Sequence, residues 1–206
     1  VEDNKTGYLN VKHYNIAKNP VIDSNNRRLM FGSELYSGWR LQTPLDGKDF
    51  GITSNDSLFF YEENKNKPPV NKAIEIWGYF IPQQTGNYIL GVVSDDGIYG
   101  QIKVDGHQKV FANSWKQQAP ELIKTGESIT LTKNTKYPIY MEYFENKARH
   151  GSFIMNMSFN GSDFKEIPAH YLYPSDEDIT RYPPEAKNVR ITGVAQLGET
   201  LTGHYD

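Results

Sequence analysis

The chain has 206 residues, 37% of them hydrophobic, with 22 Lys and Arg against 25 Asp and Glu and a formal net charge of -3. This apolar content can fill the core of one sizeable domain, and the lack of a basic surplus argues against a nucleic-acid partner. The absence of Cys excludes thiolate metal sites and cysteine nucleophiles. No apolar stretch approaches the roughly 20 residues of a membrane helix, so we expect no transmembrane segment. Since the chain begins at Val1 without a leader-like stretch, we expect a module cut from a longer protein.

Apolar and polar residues alternate with a period of two along most of the sequence, a pattern that predicts β-strands. Gly and Pro, 17 and 11 in number, interrupt it at short intervals, as is typical of an antiparallel sandwich or barrel, and helical periodicity is scarce. Residues 10–57 are less regular and contain long polar loops, which in a compact domain are usually binding loops or insertions. The sequence therefore predicts an all-β fold: an antiparallel β-sandwich or barrel with long binding loops.

Alternating residues and turn signals predict successive hairpins from residue 74 onward. Each turn is a short stretch rich in Gly, Pro or polar residues between two alternating runs. In the last pair, alternate apolar residues share one face and are predicted to be core: Phe153, Met155, Met157 and Phe159. In chain order, the predicted turns are Pro82–Gly86, Asp95-Asp96, Asp105-Gly106, Lys133–Lys136 and Asn160-Gly161.

The composition changes after Tyr173. The stretch PSDEDITRYPPEAK is acidic and then Pro-rich and lacks apolar alternation, so we predict a domain of residues 1–175 followed by a linker at residues 176–187. The final segment, NVRITGVAQLGETLTGHYD, resembles the opening of the immunoglobulin-like repeats of bacterial surface proteins. Residues 188–206 would be the truncated start of such a repeat, and its two strands alone cannot bury a core.

Two adjacent carboxylates, Asp95 and Asp96, occupy one of the predicted turns. Successive side chains of a strand point to opposite faces, but a cis peptide bond between these residues would turn both carboxylates to the same side. A divalent cation would then bind both, and calcium prefers carboxylate, amide and carbonyl oxygens. Gly97 gives the backbone freedom for an unusual turn. An ordinary solvated Asp-Asp-Gly turn is the alternative interpretation.

A second loop, in YFENKARHGSF, offers neutral oxygen donors. An irregular loop there would point the Asn146 amide oxygen and the carbonyls of Ala148 and His150 into the same space. The alternative is a long solvated hairpin loop. The candidate calcium ligands are Asp95, Asp96, Asn146, Ala148 and His150.

The stretch IEIWGYFIPQQTGNYILGVVSDDGIYGQIKVDG resembles the central signature of PA14 domains, which are β-sandwiches or barrels found in glycosidases, bacterial adhesins and yeast flocculins. The likeness extends to YPIYMEYFENKARHGSF and to IPAHYLYP, and so covers about residues 8–174. In the lectin-like branch, an Asp-cis-Asp pair, an Asn and alternate backbone carbonyls hold a calcium ion that coordinates vicinal sugar hydroxyls. The resemblance implies these roles for the five ligands named above. The chain lacks the disulfides and tryptophan-rich context of the yeast members, so the sugar is not identified.

Sugar specificity must come from the surrounding loops, because a hydroxyl and the water that it replaces are similar calcium ligands. Aromatic rings stack on pyranoses, and polar side chains bond to the outer hydroxyls. In the alternative interpretation, Trp115 covers the edge of a core and the cationic residues belong to a solvated loop. The predicted sugar-binding residues are Tyr99, Trp115, Gln117, Lys147, Arg149 and His150.

These features predict a calcium-dependent carbohydrate-binding module of a multidomain bacterial surface adhesin: an extracellular, monomeric module that binds a cell-surface or extracellular glycan and is not an enzyme. The alternatives are a polysaccharide-binding accessory domain of a secreted glycosidase and a structural spacer. A further alternative is catalysis by this chain, with Glu142, Glu145 and the aspartate pair as glycosidase carboxylates. Adjacent like charges in one turn suit a cation better than a separated acid and base.

Overall fold

A computed structural model describes residues 7–41, 72–146, 152–176, 190–192 and 202–204. The chain divides into two compact units, Val1–Ser175 and Asp176–Asp206. Apart from two short 3-10 turns, Arg27–Met30 and Ala169–Tyr171, the regular elements of the described ranges are strands. The predicted all-β class is therefore confirmed. The linker and the immunoglobulin-like repeat stay predictions, since most of their residues lie outside the described ranges.

The first unit contains twelve described strands. They are β1 (Tyr8–Ile16), β2 (Phe31–Leu41), β3 (Lys72–Phe80), β4 (Gly86–Asp95), β5 (Gly97–Val104), β6 (His107–Ser114), β7 (Glu121–Ile123), β8 (Ile129–Leu131), β9 (Tyr137–Glu145), β10 (Ser152–Phe159), β11 (Lys165–Glu166) and β12 (Leu172–Tyr173). In the second unit, β13 (Arg190–Thr192) pairs antiparallel with β14 (Thr202–His204).

Two antiparallel sheets form the first unit. Sheet 1 has the strand order β2-β1-β3-β9-β5-β6, and β12 also pairs with β3. Sheet 2 has the order β11-β10-β4-β7, and β8 also pairs with β4. No helical segment within the described ranges has the length and hydrophobicity that a bilayer crossing requires. The architecture is the predicted antiparallel sandwich.

The core lies between the inner faces of the two sheets, because each strand alternates apolar residues toward that space. Sheet 1 contributes Ile74 and Met141, and sheet 2 contributes Leu90, all fully buried. The predicted core face of β10 is confirmed: Phe153, Met155 and Met157 are at most 1% exposed, and Phe159 packs against the same cluster.

Only two of the five predicted hairpins form. β5 and β6 pair across Asp105 and Gly106, whose φ angles of 50° and 80° suit a type I′ turn, and β10 pairs with β11 after the Asn160-Gly161 turn. The other three predicted hairpins are wrong: at Pro82–Gly86, at Asp95-Asp96 and at Lys133–Lys136 the chain passes from one sheet to the other. Two strands that follow each other in the chain then belong to different sheets, and each forms its hydrogen bonds with strands from elsewhere in the chain.

Gly97, the first residue of β5, is required for space and not for backbone freedom. Its φ angle does not lie in the positive region that favours glycine. A Cβ atom at this position would lie 2.1 Å from Cε1 and 2.6 Å from Cδ1 of Phe144 on the neighbouring strand β9. The Phe144 ring is fully buried, so it has little room to move away.

We expect Gly97→Ala to lower the free energy of unfolding by about 1–3 kcal/mol, because the added methyl group overpacks a closed site. Urea denaturation measures this change. Gly106→Asn is the control, since no atom lies within 4 Å of a Cβ there and Asn accepts its φ of 80°. The control should change the stability by less than about 0.5 kcal/mol. Equal stability of wild type and Gly97→Ala would contradict the packing argument.

Candidate metal centre

The Asp95-Asp96 pair lies where the chain crosses from β4 in sheet 2 to β5 in sheet 1. The peptide bond between the two residues is cis, as predicted. A third carboxylate, that of Glu145 at the end of β9, joins them: ligand oxygens of the three side chains all lie within 4.8 Å of one another. The structure thus places three acids at one sheet crossing.

The Asp96 carboxylate fixes the position of two other segments. Its Oδ1 accepts the backbone N–H of Gln118 at 3.0 Å, and its Oδ2 accepts the backbone N–H of Asn146 at 2.9 Å. The Asp96 carbonyl accepts further bonds, from Gln118 Nε2 at 2.9 Å and from Ser94 Oγ at 2.7 Å. These hydrogen bonds connect the sheet crossing to the β6–β7 loop and to the end of β9, and Asp96 is only 5% exposed.

Tyr143 lies beneath the acids, two residues before Glu145 and on the same face of β9. Its hydroxyl donates to the carbonyl of Asp95 and lies 3.5 Å from Oε2 of Glu145. Burial, together with the neighbouring carboxylates, raises the pKa of Tyr143 well above its ordinary value. The residue is therefore a neutral phenol and a hydrogen-bond donor over the physiological pH range.

This donor set fits calcium. It consists of oxygen atoms, and calcium binds oxygen ligands at about 2.3–2.6 Å, so two ligands of one ion lie at most about 5 Å apart. The 4.8 Å limit on the separations of the three carboxylates satisfies that condition. The hard oxygen ligands and their negative charge do not suit a metal that prefers nitrogen or sulfur.

The structure brings together several predicted site residues. Asn146 reaches Asp96 through its backbone N–H, and its carbonyl accepts a bond from Nε2 of the exposed Gln117 at 3.2 Å. Asp95, Asp96, Asn146 and Gln117 thus lie close together in the structure. The other predicted residues of this loop, Lys147, Ala148, Arg149 and His150, lie outside the described ranges, and their roles stay predictions.

The two predicted aromatic platforms are not free rings. Trp115 is 5% exposed and packs edge-on against Phe144, with ring centroids 4.7 Å apart, so the interpretation that it stacks on a sugar is corrected to the alternative, cover for a core edge. Tyr99 is half-buried, and the Arg27 guanidinium lies 3.5 Å from its ring centroid and covers one face. Its hydroxyl donates to Gln101 Oε1 at 3.0 Å.

Sequence reasoning missed three supporting residues. Tyr143 and Glu145 were detectable in principle, because the alternation of β9 places them on one face beside a predicted ligand loop. From the sequence, Glu145 is a candidate only for a catalytic carboxylate. Gln118 had no sequence signal, since its bonds to Asp96 depend on how the β6–β7 loop folds back.

Glu142 is separated from the other three acids by the sheet itself. It lies on the outer face of sheet 1, opposite Glu75 in the register of β3 and β9, and Arg27 Nε contacts its Oε1 at 2.9 Å. The Glu75 carboxylate accepts hydrogen bonds from the hydroxyls of Tyr140 and Tyr14, and a guanidinium nitrogen of Arg28 lies 3.1 Å from its Oε1. Of the four candidate acids for glycosidase chemistry, Glu142 thus lies on one face of sheet 1 and the other three lie on the opposite face. Glu142 belongs to a buried ion-pair network.

We expect Gln118→Ala to destabilise the metal-free protein by about 1–2 kcal/mol, because the side chain bonds to the Asp96 carbonyl and accepts a bond from Ser114 Oγ. Gln117→Ala is the matched control, because Gln117 is exposed and its side chain donates a hydrogen bond to the carbonyl of Asn146 at the protein surface. Chemical denaturation in the presence of a chelator compares the two. A larger loss in the Gln117 variant would contradict the assigned roles.

Burial raises the pKa of Glu142 above its usual value despite the opposing effect of Arg27. The native state therefore binds this proton more tightly than the unfolded state does, and the stability contributed by Glu142 falls as pH rises through the raised pKa. We expect the stability advantage of wild type over Glu142→Gln, which does not titrate, to be smaller at pH 7 than at pH 4. Urea denaturation at both pH values measures it, and an advantage that grows with pH would contradict the assignment.

Comparisons with known proteins agree with this fold. The profile of the PA14 domain family matches residues 43–170. Among solved structures, an anti-sigma factor domain-containing protein matches with a TM-score of 0.58 and 22% identity over 98% of this chain, which spans 59% of that protein. A search of curated proteins gave no match.

Two further structures come from adhesins. A PA14 sugar-binding domain from an RTX adhesin matches with a TM-score of 0.55 and 15% identity, over 82% of this chain and 99% of that one. Epithelial adhesin 6 A domain from Candida glabrata, in complex with Galβ1-3GlcNAc, matches with a TM-score of 0.53 and 17% identity, over 86% of this chain and 91% of that one. At these identities the likeness shows the fold. Because the family profile covers well over half of the sequence, the chain belongs to the PA14 domain family.

Proposed function

We propose that this PA14 domain is a calcium-dependent carbohydrate-binding module of a multidomain bacterial surface adhesin and acts outside the cell. The observation that carries the proposal is the meeting of Asp95, Asp96 and Asn146 at one sheet crossing. The similar structures support a glycan as the ligand, because two of them are a sugar-binding domain of an adhesin and an adhesin domain in complex with a disaccharide.

Carboxylate and neutral oxygens of this chain would both ligate the ion. Asp95 and Asp96 would hold the ion with their carboxylates, assisted by the Asn146 amide and the carbonyls of Ala148 and His150. When bound, calcium supplies a positive centre for neighbouring hydroxyl oxygens of a sugar.

Gln117 is the described residue best placed to contact the outer part of a sugar. It is exposed, and its Nε2 donates a hydrogen bond to the carbonyl of Asn146, beside the candidate ligands. Its amide oxygen is an acceptor suited to a sugar hydroxyl. The predicted contacts of Lys147, Arg149 and His150 belong to the same loop. Because Trp115 is buried, recognition relies on hydrogen bonds more than on stacking.

We expect a single site of this kind to bind weakly. We expect a Kd from about millimolar to high micromolar, equivalent to roughly 4–6 kcal/mol. Repetition of the module on a cell surface would raise the avidity without any new contact. The domain would act as a monomeric module within its longer chain.

A glycan array with calcium and with a chelator tests the proposal. Asp95→Asn is the informative variant, since it removes one charge at nearly constant volume and leaves Asp96 to hold Gln118 and Asn146. We expect wild type to bind glycan in calcium only and Asp95→Asn to lose at least about tenfold in affinity.

Asp105→Asn is the matched control, because Asp105 lies exposed in the β5–β6 turn and its φ of 50° also suits Asn. It should bind like wild type. Glycan binding that persists in chelator and in Asp95→Asn would refute the proposed calcium dependence.

A further inference from the structure

We propose that Glu145 is a third carboxylate ligand of the same cation, so that the protein supplies three negative charges to the site. The inference rests on the proposed calcium site and adds a residue to it. Ligand oxygens of Glu145, Asp95 and Asp96 lie within 4.8 Å of one another, close enough to share one calcium ion.

The position of Glu145 on β9 directs it to the acids. Residues 139, 141 and 143 of this strand are buried in the core between the sheets, and residue 145 continues the same face at the end of the strand. Glu142, on the opposite face, meets Arg27 instead. The alternation of one strand therefore assigns one glutamate to an ion pair and the other to the aspartates.

Burial gives the third carboxylate its significance. Glu145 is 0% exposed, and a divalent cation is attracted more strongly by a carboxylate in such a low-dielectric environment than by one in water. It lies beside two further carboxylates, whose like charges repel its own. A divalent cation shared by the three carboxylates offsets this repulsion. Tyr143 fixes the arrangement from below, with its hydroxyl between the Asp95 carbonyl and Glu145.

A third charge has a measurable consequence for ion selectivity. A calcium ion bound by three carboxylates gives a site with a net charge of -1, whereas a trivalent lanthanide ion of similar size gives a neutral site. Removal of one carboxylate should therefore weaken terbium binding more than calcium binding. Ligand charge count is one of the factors that set calcium affinity in proteins.

Isothermal titration calorimetry with CaCl2 and TbCl3, without any sugar, tests the proposal. We expect Glu145→Gln to weaken calcium binding at least about tenfold and terbium binding by a larger factor. Glu142→Gln is the matched control, a buried glutamate three residues away on the other face, and should leave both affinities unchanged. Circular dichroism confirms that each variant is folded.

The outcomes separate this inference from the proposed function. Wild type that binds neither ion refutes both. Wild type that binds calcium with the same affinity as Glu145→Gln refutes the role of Glu145 alone. If Glu145→Gln does not fold, Glu145→Asp keeps the charge and withdraws the carboxylate by one methylene, and unchanged ion binding in that variant also refutes direct ligation.

Discussion

The candidate site depends on the way one carboxylate holds three chain segments. Asp96 lies between β4 and β5, and its two oxygens accept backbone N–H groups of Gln118 and Asn146. Hydrogen bonds to an ionised acceptor are stronger than neutral ones, and more so when the acceptor is as buried as Asp96, which is 5% exposed. Each carboxylate oxygen has lone pairs beyond the one that an N–H occupies, so the bonds that order the loops leave Asp96 able to bind an ion. The same side chain is thus structural support and candidate ligand.

Sheet 1 keeps two kinds of acidic site apart. On its outer face, Glu75 and Glu142 lie opposite Arg28 and Arg27, so buried negative charge is balanced by guanidinium groups of the chain itself. At the crossing, ligand oxygens of three carboxylates lie within 4.8 Å of one another beside a neutral phenol, close enough to share one cation. The difference between a structural ion pair and a candidate metal centre is therefore set by which face of β9 a glutamate occupies.

The strands were predictable from the sequence, but the way in which they pair was not. A period of two and a turn signal are local properties, and they placed β3, β4, β5, β9 and β10 correctly. Sheet membership depends on hydrogen bonds to distant strands, so the turn that carries the aspartates was predicted as a hairpin tip although it connects the two sheets. A position between two sheets matters for function, because loops from both sheets can reach it.

The sequence by itself determined the alternation of the strands, the PA14 signature, the adjacent aspartates and a loop that starts at Asn146, since each of these is contained in a short stretch of neighbouring residues. Only the tertiary structure decided that Glu145, Tyr143 and Gln118 join that pair and that Trp115 is buried. The reason is physical: Asp96 meets partners 22 and 50 residues away, and such contacts arise from packing of the two sheets, which no local pattern specifies.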